Sequence, residues 1–162
     1  MSELDVYSRL VAHLEDRSIR IVCASPPAGT DPRFPRCYLP RPDATQRANR
    51  DEVDVTAVIE RTCVLIECKA AVSHSLSKLN TAGESDLAKL RRLGSTWTAT
   101  ELIGVFRRAH GVEIDIDTIV PALAVETVDM PCPDMIVIHV DGASVGLVPG
   151  LLADRAIVDA FS

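Results

Sequence analysis

With 162 residues, 47% of them hydrophobic, the chain is long enough for one domain with a real interior and too apolar for a disordered segment. Aromatics make up only 4%, so the core is expected to be aliphatic. No apolar run approaches the roughly 18 residues of a membrane span, and a start holding Glu3 and Asp5 lacks the basic and then apolar order of a secretion signal, so a cytoplasmic location is expected.

In chain order, Leu4, Tyr7, Leu10, Val11 and Leu14 recur at helical spacing behind Ser2, a good N-cap. Ile19 to Cys23 read as a short strand that Pro26 and Pro27 terminate. Residues 26 to 50 form a long excursion without periodicity, a length that usually marks function or mobility. It carries Arg33, Arg36, Arg41, Arg47 and Arg50 against Asp31 and Asp43. Glu52 to Ile59 and Cys63 to Lys69 are rich in β-branched residues, and the polar Glu60-Arg61-Thr62 between them predicts a β-hairpin.

Beyond the hairpin, Ser85 opens a helix with Leu87, Leu90 and Leu93 inward, and Thr98 to Glu101 starts a second, with Leu102, Val105, Phe106 and Ala109 inward, ending near Gly111. Ala122 to Val128 and Met135 to Val140 read as strands, and residues 150 to 161 as a last short helix. The acids of Glu113-Ile114-Asp115-Ile116-Asp117 are expected on an exposed edge. Helix, strand, hairpin, helices, two strands and helix suit a single α/β domain, a three-layer-type sandwich with a mixed central sheet. Five scattered cysteines, Cys23, Cys37, Cys63, Cys68 and Cys132, have no paired spacing, so neither a zinc site nor a disulfide framework is expected. Cys63 and Cys68 are expected as small core residues.

The hairpin carries the chemistry. Period-two alternation puts Glu67 and Lys69 on one strand face, with Cys68 on the other. A reversal at residues 60 to 62 would bring Asp54 opposite Lys69 or one pair beyond. Asp54 and Glu67 could then share one hard cation, Mg²⁺ or Mn²⁺, with the Cys68 backbone carbonyl and waters completing its shell. Lys69 beside it could orient or deprotonate a water. The alternative is that acid-x-Lys lies on an exposed strand with its charges facing solvent.

At Asp54 and Ile66-Glu67-Cys68-Lys69 the chain resembles the PD-(D/E)XK nuclease superfamily, whose core is αβββαβ. The resemblance spans residues 2 to 93 as an arrangement and four or five positions as a motif; no Pro precedes Asp54. It implies metal binding by Asp54 and Glu67, handling of the attacking water by Lys69, and a further acid from the first helix, with Glu3 the best placed and Glu15 second. It implies DNA as substrate, a frequent homodimer, and a contribution from Lys89 on the helix after the hairpin; a solvated basic face is the alternative for Lys89. The core would run over about 2–128, with a strand and helix added in an acidic extension over about 129–162.

Charge asymmetry bears on partners. Residues 111–162 hold nine acidic residues and only one basic, Arg155, so the rest of a chain with net charge −6 is slightly positive. The loop arginines could grip phosphates, or equally pair with the acidic third. Two functions follow: a metal-dependent endonuclease, or a nuclease-fold module of little activity that recruits nucleic acid or, through its acidic region, a protein partner. Nucleophile-elbow, phosphate-loop, dinucleotide and zinc-helix patterns are missing from the sequence.

Overall fold

The computed structural model describes residues 1–40, 50–77, 79, 83–149 and 153–162. Along the chain run α1 (Glu3–Asp16), β1 (Arg20–Ala24), β2 (Tyr38–Pro40), β3 (Arg50–Glu52), β4 (Val55–Ile59), β5 (Thr62–Ala71), α2 (His74–Ser77), α3 (Asp86–Thr96), α4 (Ala99–His110), β6 (Thr118–Thr127), β7 (Ile136–Val140), β8 (Val145–Leu147) and α5 (Arg155–Ala160). Six strands form one mixed sheet in the order β1-β4-β5-β6-β7-β8, and β2 and β3 pair separately. β1, β4 and β5 are antiparallel, whereas β6 runs parallel to β5 and β7 parallel to β6. The result is a three-layer α/β sandwich around a six-stranded mixed sheet.

Helix boundaries follow from the caps. The Ser2 side chain accepts from Asp5 N while Asp5 reaches back to Ser2, closing a capping box on α1. Ser85 caps α3 and Thr98 caps α4, and α4 stops where Gly111 takes a left-handed φ of 64°. Two residues expected inward point out: Leu4 is exposed, its place taken by buried Val6, and Ala109 is exposed.

β5 sits between two neighbours and under helices on both faces, which is why it reads as a nearly unbroken apolar run. Val64, Ile66 and Cys68 pack toward α1 and α5, with Leu10, Leu14, Ile157 and Phe161. Cys63 and Leu65 pack toward α3 and α4, with Leu93, Leu102 and Phe106. The same alternation carries Glu67 and Lys69 to the α3 side.

The hairpin turn is one residue shorter than expected. Ile59 pairs with Thr62, so only Glu60 and Arg61 make the reversal, and Glu60 has the positive φ, 53°, that two-residue hairpin turns use. Val55 therefore pairs with Ile66. Continuing that register one residue past β4 sets Asp54 level with Glu67 rather than Lys69, and both acids line the same cleft.

The excursion after β1 is shaped by a disulfide between Cys23 and Cys37, 14 residues apart with Cα atoms 5.1 Å from each other. A bulge in β1 between Ile21 and Cys23 sends Val22 and Cys23 into the same core, which aims Cys23 at Cys37. Local spacing holds no trace of this pairing. Cys63 and Cys68 are buried free thiols, as small core residues should be. Glu113, Asp115 and Asp117 are exposed as expected, but on an extended segment outside the sheet rather than on a sheet edge, with Ile114 and Ile116 buried between them and Asp115 and Asp117 paired with Arg61.

Candidate active-site cleft

Asp54 lies in the two-residue gap between β3 and β4, and its backbone is pinned. Ser25 N donates to the Asp54 carbonyl at 2.8 Å, and the neighbouring Val53 N donates to Cys37 O at 3.2 Å. Its side chain reaches the end of β5, where Oδ2 accepts from Cys68 N at 2.7 Å. A strand residue points its N–H and C=O to the same edge, so the Cys68 carbonyl also faces the Asp54 side. Glu67 is 4% exposed. Both acids open onto a cleft of ≈ 420 Å³ lined also by Glu3, Lys69 and Lys89, and by Pro26, Pro27, Gly29, Arg36 and Glu52.

Charges alternate across this cleft. Lys89 Nζ lies 2.7 Å from Glu67 Oε1, 3.7 Å from Asp86 Oδ1, and donates to the Glu52 carbonyl at 2.9 Å. The Glu67 contact falls outside hydrogen-bond angles, so Oε1 is buried with an ionic partner and no hydrogen bond. Lys69 Nζ lies 2.7 Å from Asp86 Oδ2 and 3.5 Å from Glu3 Oε1.

These surroundings set the protonation states. Burial pushes the Asp54 carboxyl well above the usual range, the Glu67 charge pushes it further, and the Cys68 N–H works the other way. Burial also raises Glu67, opposed chiefly by the Lys89 charge. For Lys69, burial alone would lower the value, but the Asp86 hydrogen bond and charge, followed by the Glu3 charge, carry it above the ordinary lysine range. Lys69 is therefore held as an ammonium, suited to orienting a water or an anionic oxygen and unsuited to removing a proton.

The expected site residues divide. Asp54, Glu67, Lys69, Glu3 and Lys89 all line the one cleft. Glu15 does not, because it pairs with Arg33 at 2.7 Å, and Arg33 is further held by Asp31. Arg36 reaches the cleft edge but is bound to Glu52 at 2.7 Å, and Arg50 stacks 3.9 Å over the Tyr38 ring. Arg41 and Arg47 lie outside the described residues. Asp86, which joins both lysines, was invisible as a site residue; the one signal for it was its place in the first turn of the helix following the acid-x-Lys strand.

Among the described residues, no group of three or more His, Cys, Asp and Glu side chains gathers into a metal cluster. The donors that could serve a cation are two carboxylates, Asp54 and Glu67, and the Cys68 carbonyl. All are hard oxygens, a set suited to Mg²⁺ or Mn²⁺ with waters filling the remainder. Among the described residues no helix is long and apolar enough to cross a membrane. Compared with protein-family models, curated proteins and solved structures, the chain matches none of them.

Proposed function

We propose that the chain is a Mg²⁺- or Mn²⁺-dependent phosphodiester hydrolase acting on DNA. The observation that carries this reading is the neighbouring pair Asp54 and Glu67, two carboxylates raised by burial in a cleft that also holds Lys69. Placing like charges together in a poorly solvated spot costs stability unless a cation or a proton joins them. The order helix, three antiparallel strands, helices and a parallel strand is also the order that the resemblance at Asp54, Glu67 and Lys69 implies.

A bound divalent ion would stabilise charge building on a phosphoryl oxygen and favour ionisation of a nearby water. Asp54 and Glu67 hold that ion. Lys69, kept protonated by Asp86 and Glu3, donates to the attacking water or to a non-bridging oxygen. Arg36 offers a phosphate contact at the cleft edge once it leaves Glu52. DNA as substrate rests on the resemblance, as does a homodimer that would present two clefts to two strands. The cytoplasm remains the proposed compartment, although the Cys23–Cys37 bond weighs the other way, since such bonds are rare where glutathione keeps thiols reduced.

One observation favours a second reading, a nuclease-fold binding module that recruits a partner through its acidic C-terminal region. Lys89, Lys69 and Arg36 are each bound to a carboxylate within the fold, leaving the cleft internally neutralised. Incubating DNA with purified wild-type protein and Glu67→Ala, with and without Mn²⁺, separates the two. The hydrolase reading expects cleavage that needs both the ion and Glu67; no cleavage by the wild type, or equal cleavage by the variant, leaves the module.

A further inference from the structure

Lys89 is seated as a metal ion would be. Its ammonium is surrounded by a Glu67 carboxylate oxygen at 2.7 Å, the Glu52 carbonyl at 2.9 Å and an Asp86 carboxylate oxygen at 3.7 Å. These are the hard donors that a small cation also takes. The side chain is only 12% exposed. It enters from α3, whose neighbouring Leu87 and Leu90 are buried, so the stem is anchored while the charged end alone reaches the cleft. The contact to Glu67 is close but poorly aligned for a hydrogen bond, which marks it as a charge contact that a spherical ion can replace.

We propose that Lys89 is the resident cation of this cleft, and that a divalent ion binds at Glu67 only by displacing the Lys89 ammonium. The inference rests on the metal-binding part of the reading above and adds a residue that sets how tightly, and therefore at what ion concentration, the cleft loads. An ion that takes Glu67 Oε1, the oxygen Lys89 occupies, would stand too close to the ammonium for both to remain there, so at that oxygen ion and ammonium exclude each other. Asp86, already 3.7 Å away, and the Glu52 carbonyl offer the displaced ammonium places to stay. Metal binding would then include the cost of breaking a mostly buried ion pair.

The test is Mn²⁺ binding to the whole chain by calorimetry at pH 8, together with the change in Tm that Mn²⁺ produces. The forms are wild type, Lys89→Met, Lys89→Gln and Lys89→Arg. Lys89→Met keeps the stem and removes the charge; it is expected to bind Mn²⁺ about tenfold or more tightly than wild type, a factor equal to about 1.4 kcal/mol. It should also unfold at a lower temperature without the ion and gain more from its addition. Lys89→Gln guards against a Met-specific folding defect and should behave alike, whereas Lys89→Arg keeps the charge and should show no gain. Adding Asp54→Asn to Lys89→Met should remove the gain.

Unchanged or weaker Mn²⁺ binding in both uncharged variants overturns the proposal, as does a gain that survives Asp54→Asn. The outcome is separable from that of the hydrolase reading. A wild type that cleaves DNA while the variants bind no more tightly sinks the resident-cation inference alone. A wild type that never cleaves, beside variants that bind Mn²⁺ tightly, sinks the hydrolase alone.

Discussion

Asp86 Oδ2 stands 2.7 Å from Lys69 Nζ, and Asp86 Oδ1 stands 3.7 Å from Lys89 Nζ, so one carboxylate on the first turn of α3 ties together the cations of β5 and α3. The Lys69 and Asp86 side chains are 14% and 24% exposed, which separates this pair from surface pairs such as Arg61 with Asp115, exposed at 56% and 81% and of little consequence.

Asp86→Asn should therefore cost about 1.5–3 kcal/mol, the range for a hydrogen bond to a charged group in a sheltered place. The same change should lower the titration point of Lys69, because it removes the two largest influences that raise it. Urea denaturation measures the first and ¹⁵N-lysine NMR the second. An unmoved Lys69 resonance across the alkaline range would refute the positioning role.

The contrast between Lys69 and Cys37 explains what the sequence could reveal. Period-two alternation is a local property of a strand, so Glu67 and Lys69 could be placed on one face, and the caps at Ser2, Ser85 and Thr98 announced their helices, from nearest neighbours alone. The Cys23–Cys37 bond depends on a bulge in β1 and on the path of the chain back to β2, neither of which leaves a local pattern. The Asp54 register failed by a smaller margin: Thr62, expected in the turn, belongs to β5, and the ladder ending at Val55 and Ile66 sets Asp54 level with Glu67, two positions from Lys69. Asp86 and Lys89 as a pair required knowing that α3 lies across the end of β5. Spacing within a helix cannot supply that.

The Cys23–Cys37 bond closes a loop whose residues Pro26, Pro27, Gly29 and Arg36 form one wall of the cleft. For a separation of 14 residues, removing the crosslink should cost about 3 kcal/mol through the freedom returned to the unfolded chain. The double variant Cys23→Ala, Cys37→Ala is expected to show that loss in urea, together with faster hydrogen exchange at residues 26–36. A midpoint unchanged from that of the oxidised wild type would mean that the bond does not form in the protein.

Protonation of Asp54 links stability to pH with a definite sign. Its folded-state value lies above the unfolded one, so the stability it contributes is full below the ordinary aspartate value of about 3.9 and is lost as pH rises through the raised value. Glu67 acts in the same direction. Lys69 and Lys89 are raised too, so their contribution persists until pH climbs through values above the ordinary lysine range, outside the neutral window. Asp54→Asn keeps an oxygen for the Cys68 N–H and removes the charge. It should match the wild type near pH 4 and exceed it in urea resistance at pH 8; a difference that stays constant between these two pH values contradicts the burial argument.

Two helix glycines should respond to alanine with opposite signs. On propensity alone each change would stabilise by up to about 1 kcal/mol. A Cβ on Gly94 of α3, however, would stand 2.9 Å from both Cδ and Cγ of Pro121 in β6, and a proline ring fixed in a strand cannot swing away. Overpacking of that kind costs about 1–3 kcal/mol, so it outweighs the helical gain and Gly94→Ala should destabilise the fold. A Cβ on Gly104 of α4 meets chiefly the far end of Arg108, with Nη1 at 3.0 Å, and that side chain can move at little cost. Gly104→Ala should accordingly raise the denaturation midpoint while Gly94→Ala lowers it. Equal responses from the two variants would mean that α3 does not approach β6 at Pro121 as closely as the sandwich requires.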